Sequence, residues 1–392
     1  MTFTWRYRRT VLVLSTLAFF ATMAGRLVIS PVVPAITDEF GVSNGVVGLG
    51  LTGLWMAYFA AQFPSGVFAD RFGERPIILL AVGGTAVASL LLALSPLFAV
   101  FVLATVALGA VAGLHYSVAA TLLTRTYDNT GFAIGFHNAG GPAAGLVAPV
   151  AAAWVGVRYG WRPAVALGAA IALPIFVLFA WRVRPTEPRR PDQPMRDRFE
   201  LGPLVEMLSR RKIAFTVALA VAGAFVWQAT ASFLPTFLVE YRGQSETTAG
   251  AVFSAYFVVQ AVTQVGVGAA SDRFGREVST AGCMLSAAAG LALLVAVPGV
   301  VSLVAALVLV GTGLGWGGAL LPRFMDELGD AEQGAGFGLV RTVYGVLGSV
   351  GSVATGTLAD LFGWAVAMGV LVALLSLVVV ALAANWAFDL GY

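Results

Sequence analysis

The stretch Gly66-Val67-Phe68-Ala69-Asp70-Arg71-Phe72-Gly73-Glu74-Arg75 returns 202 residues later as Gly268-Ala269-Ala270-Ser271-Asp272-Arg273-Phe274-Gly275-Arg276. Ser43 and Ser245, Gly48 and Gly250, and Gln62 and Gln264 keep the same step. Gly135 with Gly338, and Gly160-Trp161 with Gly363-Trp364, follow at 203. Chance does not align so many landmarks, so the chain is an internal repeat of two halves.

What surrounds the two copies is apolar. Of 392 residues, 59% are hydrophobic and 11% charged, where a soluble domain has about 45–50% and about 25%. The mean hydropathy is +0.87. So few charges cannot clothe a soluble particle of this size. A soluble enzyme, a nucleic-acid binder and a disordered scaffold are excluded, and the chain reads as a bilayer protein. Its net charge of +3 is local in origin and is no nucleic-acid footprint. Cys283, the single cysteine, closes no intramolecular disulfide, and two histidines with one cysteine make no metal cage. There is no nucleophile–base pair and no cofactor motif, so no catalytic or metal residue is expected.

A helix needs about 20 apolar residues to cross the hydrocarbon core. Twelve such runs are expected, near 11–36, 46–69, 76–95, 97–123, 132–157, 164–181, 213–238, 249–270, 278–297, 300–321, 336–358 and 364–387. They are continuous rather than alternating, which excludes a β-barrel. The first is too long for a secretory signal and is read as span 1. Placing both termini in the cytoplasm puts 18 of the 23 basic residues on the inner side and three, Arg158, Arg162 and Arg242, on the outer. The expected organisation is a six-span bundle over 1–181, a cytoplasmic linker over 182–212 and a second bundle over 213–392. The linker reads as a solvated tether whose arginines can meet anionic headgroups of the membrane lipid. Six spans separate equivalent positions, an even number, so the repeats are parallel.

The paired G-x-x-x-D-R-x-G-[R/E] loops after spans 2 and 8 resemble the signature loop of the major facilitator superfamily of secondary transporters. The resemblance covers essentially the whole chain. It implies an all-α membrane protein of two pseudo-symmetric six-helix bundles, rocker-switch alternating access, a plasma-membrane location and a monomer. It also implies that Gly66, Asp70, Arg71, Gly73, Gly268, Asp272, Arg273 and Gly275 form a conformational latch. A carboxylate at a helix N-terminus is worth about 0.3–1 kcal/mol, which makes such a latch physically reasonable. The sequence departs from proton-coupled drug exporters at Thr105, where they carry an arginine four residues before a glycine matching Gly109. No span carries the buried Asp or Glu typical of proton-coupled carriers. Gly141-Pro142-Ala143-Ala144-Gly145 is similar to the glycine-proline motif of exchangers, but small residues at this spacing also serve helix packing.

Ionisable groups deep in a membrane face a cavity or a partner. Arg26 sits about 22 Å along span 1 from its inner end, at about 1.5 Å per residue, too deep to snorkel. Arg341 lies a few residues into span 11. Neither has a carboxylate in its own span, and the guanidinium fork suits carboxylate or oxyanion geometry. A buried span-1 arginine before a proline, here Pro34, resembles the anion-carrying branches of the superfamily, where it contacts the substrate's charge. His115, Tyr116, His137 and Asn138 in spans 4 and 5 are expected to join the substrate site. So are Trp227 and Gln228 in span 7, Gln260 and Gln264 in span 8, and Tyr344 in span 11. Tyr58, Gln62, Tyr256 and Trp316 extend the polar-aromatic set, and each is as readily packing as ligand. Spans 3, 6, 9 and 12 hold only Ser, Thr, Cys and apolar residues in their interiors, so they read as outer supports. The expectation is a secondary transporter of a small organic or inorganic anion, with Arg26 and Arg341 as charge clamps and a coupling proton as possible partner. Two alternatives stand beside it: a proton-coupled exporter of neutral or cationic compounds, and a membrane sensor of transporter fold.

Overall fold

The structure is a computed structural model describing residues 5–192, 202–328 and 333–392; linker positions 193–201 lie outside the described residues. The described residues are helical throughout, with no strand. Twelve helices are long and apolar enough to cross a membrane: Arg6–Phe40, Asn44–Phe72, Glu74–Ala93, Phe98–Thr126, Thr130–Tyr159, Trp161–Arg182, Arg211–Glu240, Glu246–Phe274, Arg276–Ala296, Val300–Glu327, Gly336–Phe362 and Trp364–Ala387. Helices are the form in which a chain of this composition satisfies its backbone without water. The chain clusters into two compact units, one of Met1–Gly41 with Gly53–Glu200 and one of Val42–Thr52 with Leu201–Tyr392.

Most spans run past the apolar windows because charged residues at their ends stay helical. This corrects the reading that no span carries a buried carboxylate. Glu74 opens span 3 and is 1% exposed. Two things hold it there: a helix N-terminus favours negative charge, and Arg125 from span 4 donates to its Oε1 at 2.6 Å. In the second unit Glu277 begins span 9 and pairs with Arg323 at 2.8 Å. Arg323, expected in a loop, is buried within span 10.

The repeat landmarks now have reasons. Gly73 and Gly275 have φ of +86° and +94°, and Gly160 and Gly363 have +87° and +82°. Each ends one span and opens the next in a left-handed conformation that a side chain would strain. The tryptophan after Gly160 donates its indole N–H to Glu39 at 2.5 Å, and the one after Gly363 donates to Glu240 at 2.8 Å. Both units thus clasp the end of their first span to the start of their last. In the first unit Arg162 adds an ion pair to Glu39.

Small residues set the helix spacing, as membrane packing requires. A Cβ on Gly109 would overlap the Leu54 carbonyl, and one on Gly113 the Tyr58 carbonyl. These two glycines, one turn apart, let span 4 close on span 2. A Cβ on Gly140 would meet the Thr16 carbonyl at 2.6 Å, and one on Gly141 the Phe19 ring at 3.0 Å, so span 5 closes on span 1. Several spans are broken rather than continuous. Span 4 divides into Phe98–Gly113 and His115–Thr126, span 5 into Thr130–Asn138 and Gly140–Tyr159. Spans 10 and 11 divide at 314–316 and at Ser349.

The start of the linker is not a free tether. Arg75 donates to the carbonyls of Val183 and Ala180 at 2.8 and 2.6 Å, and its N–H to Thr186 Oγ1 at 3.1 Å. The N–H of Arg190 donates to the Asp70 carbonyl at 2.9 Å. The segment after span 6 is therefore strapped over the 70–75 loop.

Candidate functional site

In the first unit the candidate side chains follow one face of span 1. Ser15, Phe19, Thr22 and Arg26 are spaced i, i+4, i+7 and i+11, so they share a helix side. Arg26 is 3% exposed. Its guanidinium lies over the Tyr58 ring at 3.8 Å and the Trp55 ring at 5.2 Å, both from span 2. Its Nε donates to the Thr22 carbonyl at 3.1 Å and Nη2 to Met23 Sδ at 3.2 Å. Among the described residues no carboxylate pairs with it.

The two histidines, on different spans, come together. Their ring centroids are 5.4 Å apart, and both rings are wholly buried. Phe19 stacks on His115 at 6.0 Å and lies 5.2 Å from His137. Tyr116, half-buried, lies 5.9 Å from His137. Each histidine flanks a helix break: His115 opens the second piece of span 4, and His137 stands two residues before the break in span 5. Asn138 is exposed and outside this packing.

In the second unit Arg341 and Tyr344 sit one turn apart on span 11, and Tyr344 meets the Trp316 ring edge-on at 6.0 Å. Trp316, in the span 10 break, packs against Gly223, where a Cβ would lie 2.7 Å from its indole. Gln228 is buried and donates to the Gly345 carbonyl at 3.2 Å. Gln260 donates to the Leu314 carbonyl at 2.7 Å. Both amides thus bind backbone carbonyls of neighbouring spans, Gln260 at a carbonyl that the break in span 10 leaves open. Gln264, one turn on, is exposed, and Trp227 is half-buried. In the loops Asp272 takes an ion pair from Arg276 at 2.5 Å, and Arg276 reaches Asp326 at 3.1 Å.

Sequence reasoning missed Ser15, Phe19, Trp55 and Glu74. The stripe on span 1 and the Gly140-Gly141 pair were the available signals for the first two. Glu74 had none, because a glutamate after a loop glycine ordinarily reads as solvated.

The profile of the Major Facilitator Superfamily matches residues 15–245 and 224–390. The chain belongs to the major facilitator superfamily. Superfamily relatives include the multidrug resistance protein MdtG of Citrobacter koseri, 26% identical over 295 residues, which are 70% of this chain and 68% of that protein. The membrane sensor protein UhpC of Salmonella typhimurium is 26% identical over 46% of this chain and 41% of its own length. The probable sulfoacetate transporter SauU of Cupriavidus necator is 27% identical over 44% and 41%. Among solved structures, a bacterial homologue of the human lysosomal transporter Spinster, in an inward-facing occupied conformation, superposes with a TM-score of 0.82. It covers 97% of each chain at 17% identity. A D-xylose–proton symporter does so with 0.79 at 16% identity, covering 97% of each chain. At these identities the structures speak for the superfamily fold alone. The chain is a multi-pass membrane transporter of this family.

Proposed function

We propose that this transporter carries a small organic or inorganic anion, with Arg26 as the charge of the first unit and Arg341 as that of the second. Arg26 carries the reading: a guanidinium 3% exposed in mid-span, with aromatic faces but, among the described residues, no carboxylate partner. Burying a cation costs several kcal/mol after relaxation. A desolvated cation–π contact returns about 2 kcal/mol. The aromatic faces offset only part of the cost, and an anionic cargo supplies the rest. The relationship to a probable sulfoacetate transporter supports this cargo class. Asp70 and Asp272 serve as the latch residues of the two loops.

A second reading is favoured by the multidrug resistance relatives, which align over more of the chain. On that reading the cargo is neutral or cationic, is exported against protons, and Arg26 only braces span 2. The deciding experiment is a thermal-shift screen of purified protein against sulfoacetate, mono- and dicarboxylates, nitrate, phosphate esters, sugars and cationic drugs. A ligand at a hundredfold excess over Kd stabilises by about 2.7 kcal/mol. Stabilisation by anions supports the first reading, and stabilisation by cationic drugs alone supports the second.

A further inference from the structure

We propose that His115 and His137 form one shared proton-binding site, the place in the first unit where a proton is carried during transport. The proposal names a coupling site for the transport reading and does not depend on the charge of the cargo.

The two ring centroids are 5.4 Å apart, a separation at which rotation of the rings brings one imidazole–imidazole hydrogen bond within reach. Neither is exposed, and none of their four ring nitrogens has a hydrogen-bond partner among the described residues. Buried polar atoms left in this way are uncommon and call for an explanation. The backbone of Ser15 lies within reach of both rings. The hydroxyl of the same residue is buried and also without a partner.

Counting donors and acceptors shows what the arrangement can hold. A neutral pair has two N–H groups and two bare nitrogens. One N–H···N bond within the pair and one N–H to the Ser15 carbonyl leave one bare nitrogen, free to take a proton. Adding one proton turns that nitrogen into a donor. The Ser15 carbonyl already accepts the helical hydrogen bond of span 1, so it has one further lone pair for an outer N–H. The pair therefore gains or loses one proton by switching a single ring nitrogen between acceptor and donor. A second proton would set two imidazolium charges side by side in a dry core, which like-charge repulsion opposes.

The surrounding groups agree with a single charge. Among the described residues of the packed elements, the titratable or charged side chains facing the pair are Arg26, about two turns beyond Phe19 on span 1, and Tyr116 on span 4. Glu74 and Arg125 pair with each other at the inner ends of spans 3 and 4, and Arg158 stands at the far end of span 5. Among the described residues neither histidine is in an ion pair. The repeat adds an independent sign. Positions matching His115 in the second half are Gly317 and Gly318, and the one matching His137 is Val340. Scaffold residues are shared between the halves here, as Gly160-Trp161 and Gly363-Trp364 are, but the histidine pair belongs to one half alone.

The chain has only two histidines, so histidine-selective nitrogen-15 NMR of the full protein, purified with a histidine-free tag and without ligand, reads the site directly. The expected result between about pH 4 and pH 9 is a coupled titration in which the two rings together gain one proton. In His137→Gln, the His115 midpoint should move by at least about one pH unit, a tenfold change in proton affinity. Two rings titrating independently, a total of two protons, no titration, or an unmoved His115 midpoint would each overturn the proposal. The wild-type titration stands without the variant, should His137→Gln fail to fold.

Discussion

At the residue scale the protein keeps charges that a membrane interior ought to exclude. Glu74 and Arg125 show a charge kept for structure: a carboxylate 2% exposed, an arginine 36% exposed, and Arg189 at 4.0 Å behind them. Removing one partner of a fully buried pair costs about 3–5 kcal/mol. Here Arg125 is partly solvated and Arg189 remains, so Arg125→Ala should destabilise by about 2 kcal/mol, read as a lower melting temperature in detergent with ligand binding intact. Arg26 differs because no carboxylate among the described residues pairs with it. Replacing it by lysine keeps the charge and loses the planar fork. Arg26→Lys should therefore weaken anion binding at least tenfold, about 1.4 kcal/mol, without lowering the melting temperature of the empty protein. A large loss of stability with unchanged affinity would make Arg26 a brace. The sequence located Arg26, His115 and His137 because ionisable residues stand out against an apolar run. It could not show that the histidines meet, since they sit on two spans and the packing that joins them passes through Phe19, an ordinary apolar residue.

At the scale of the helix, glycine decides which spans touch. Gly109 and Gly113 bring span 4 onto the backbone of span 2, and so position His115 just beyond the break. Gly113→Val should displace span 4 and abolish monodisperse folded protein in size-exclusion chromatography. Gly135→Ala is the control: no atom lies within 4 Å of its added Cβ, and alanine favours the helix by about 0.8–1 kcal/mol over glycine. It should fold as well as wild type or better. Twelve spans and the repeat were legible because apolar length and paired loops are properties of the linear chain. The helix breaks at Leu114 and Ala139 were not, because alanine and leucine favour helix and tertiary contacts overrule them. The same holds for the strap after span 6. Its arginines read as solvated until their backbone and side-chain groups are seen engaged with the 70–75 loop.

At the scale of the whole molecule, the superfamily membership makes the protein a carrier, and the buried groups are the basis for the proposed anion and proton. If a proton on the histidine pair and an anion at Arg26 favour one another, linkage makes the effect reciprocal. The sign follows: the protonated pair binds the anion better, so affinity should fall as pH rises through the titration of the pair, approaching tenfold per pH unit. His115→Gln should bind with a flat pH profile over the same range. The central claim, that the cargo is an anion held by Arg26 and Arg341, is tested most directly by one measurement. Binding of the anions found in the thermal-shift screen is compared in detergent for wild type, Arg26→Ala and Arg341→Ala, together with a neutral and a cationic ligand. The account predicts that wild type binds at least one anion and that each alanine variant loses it while remaining folded. A neutral or cationic ligand that binds all three proteins equally well, with no anion bound by wild type, would contradict it.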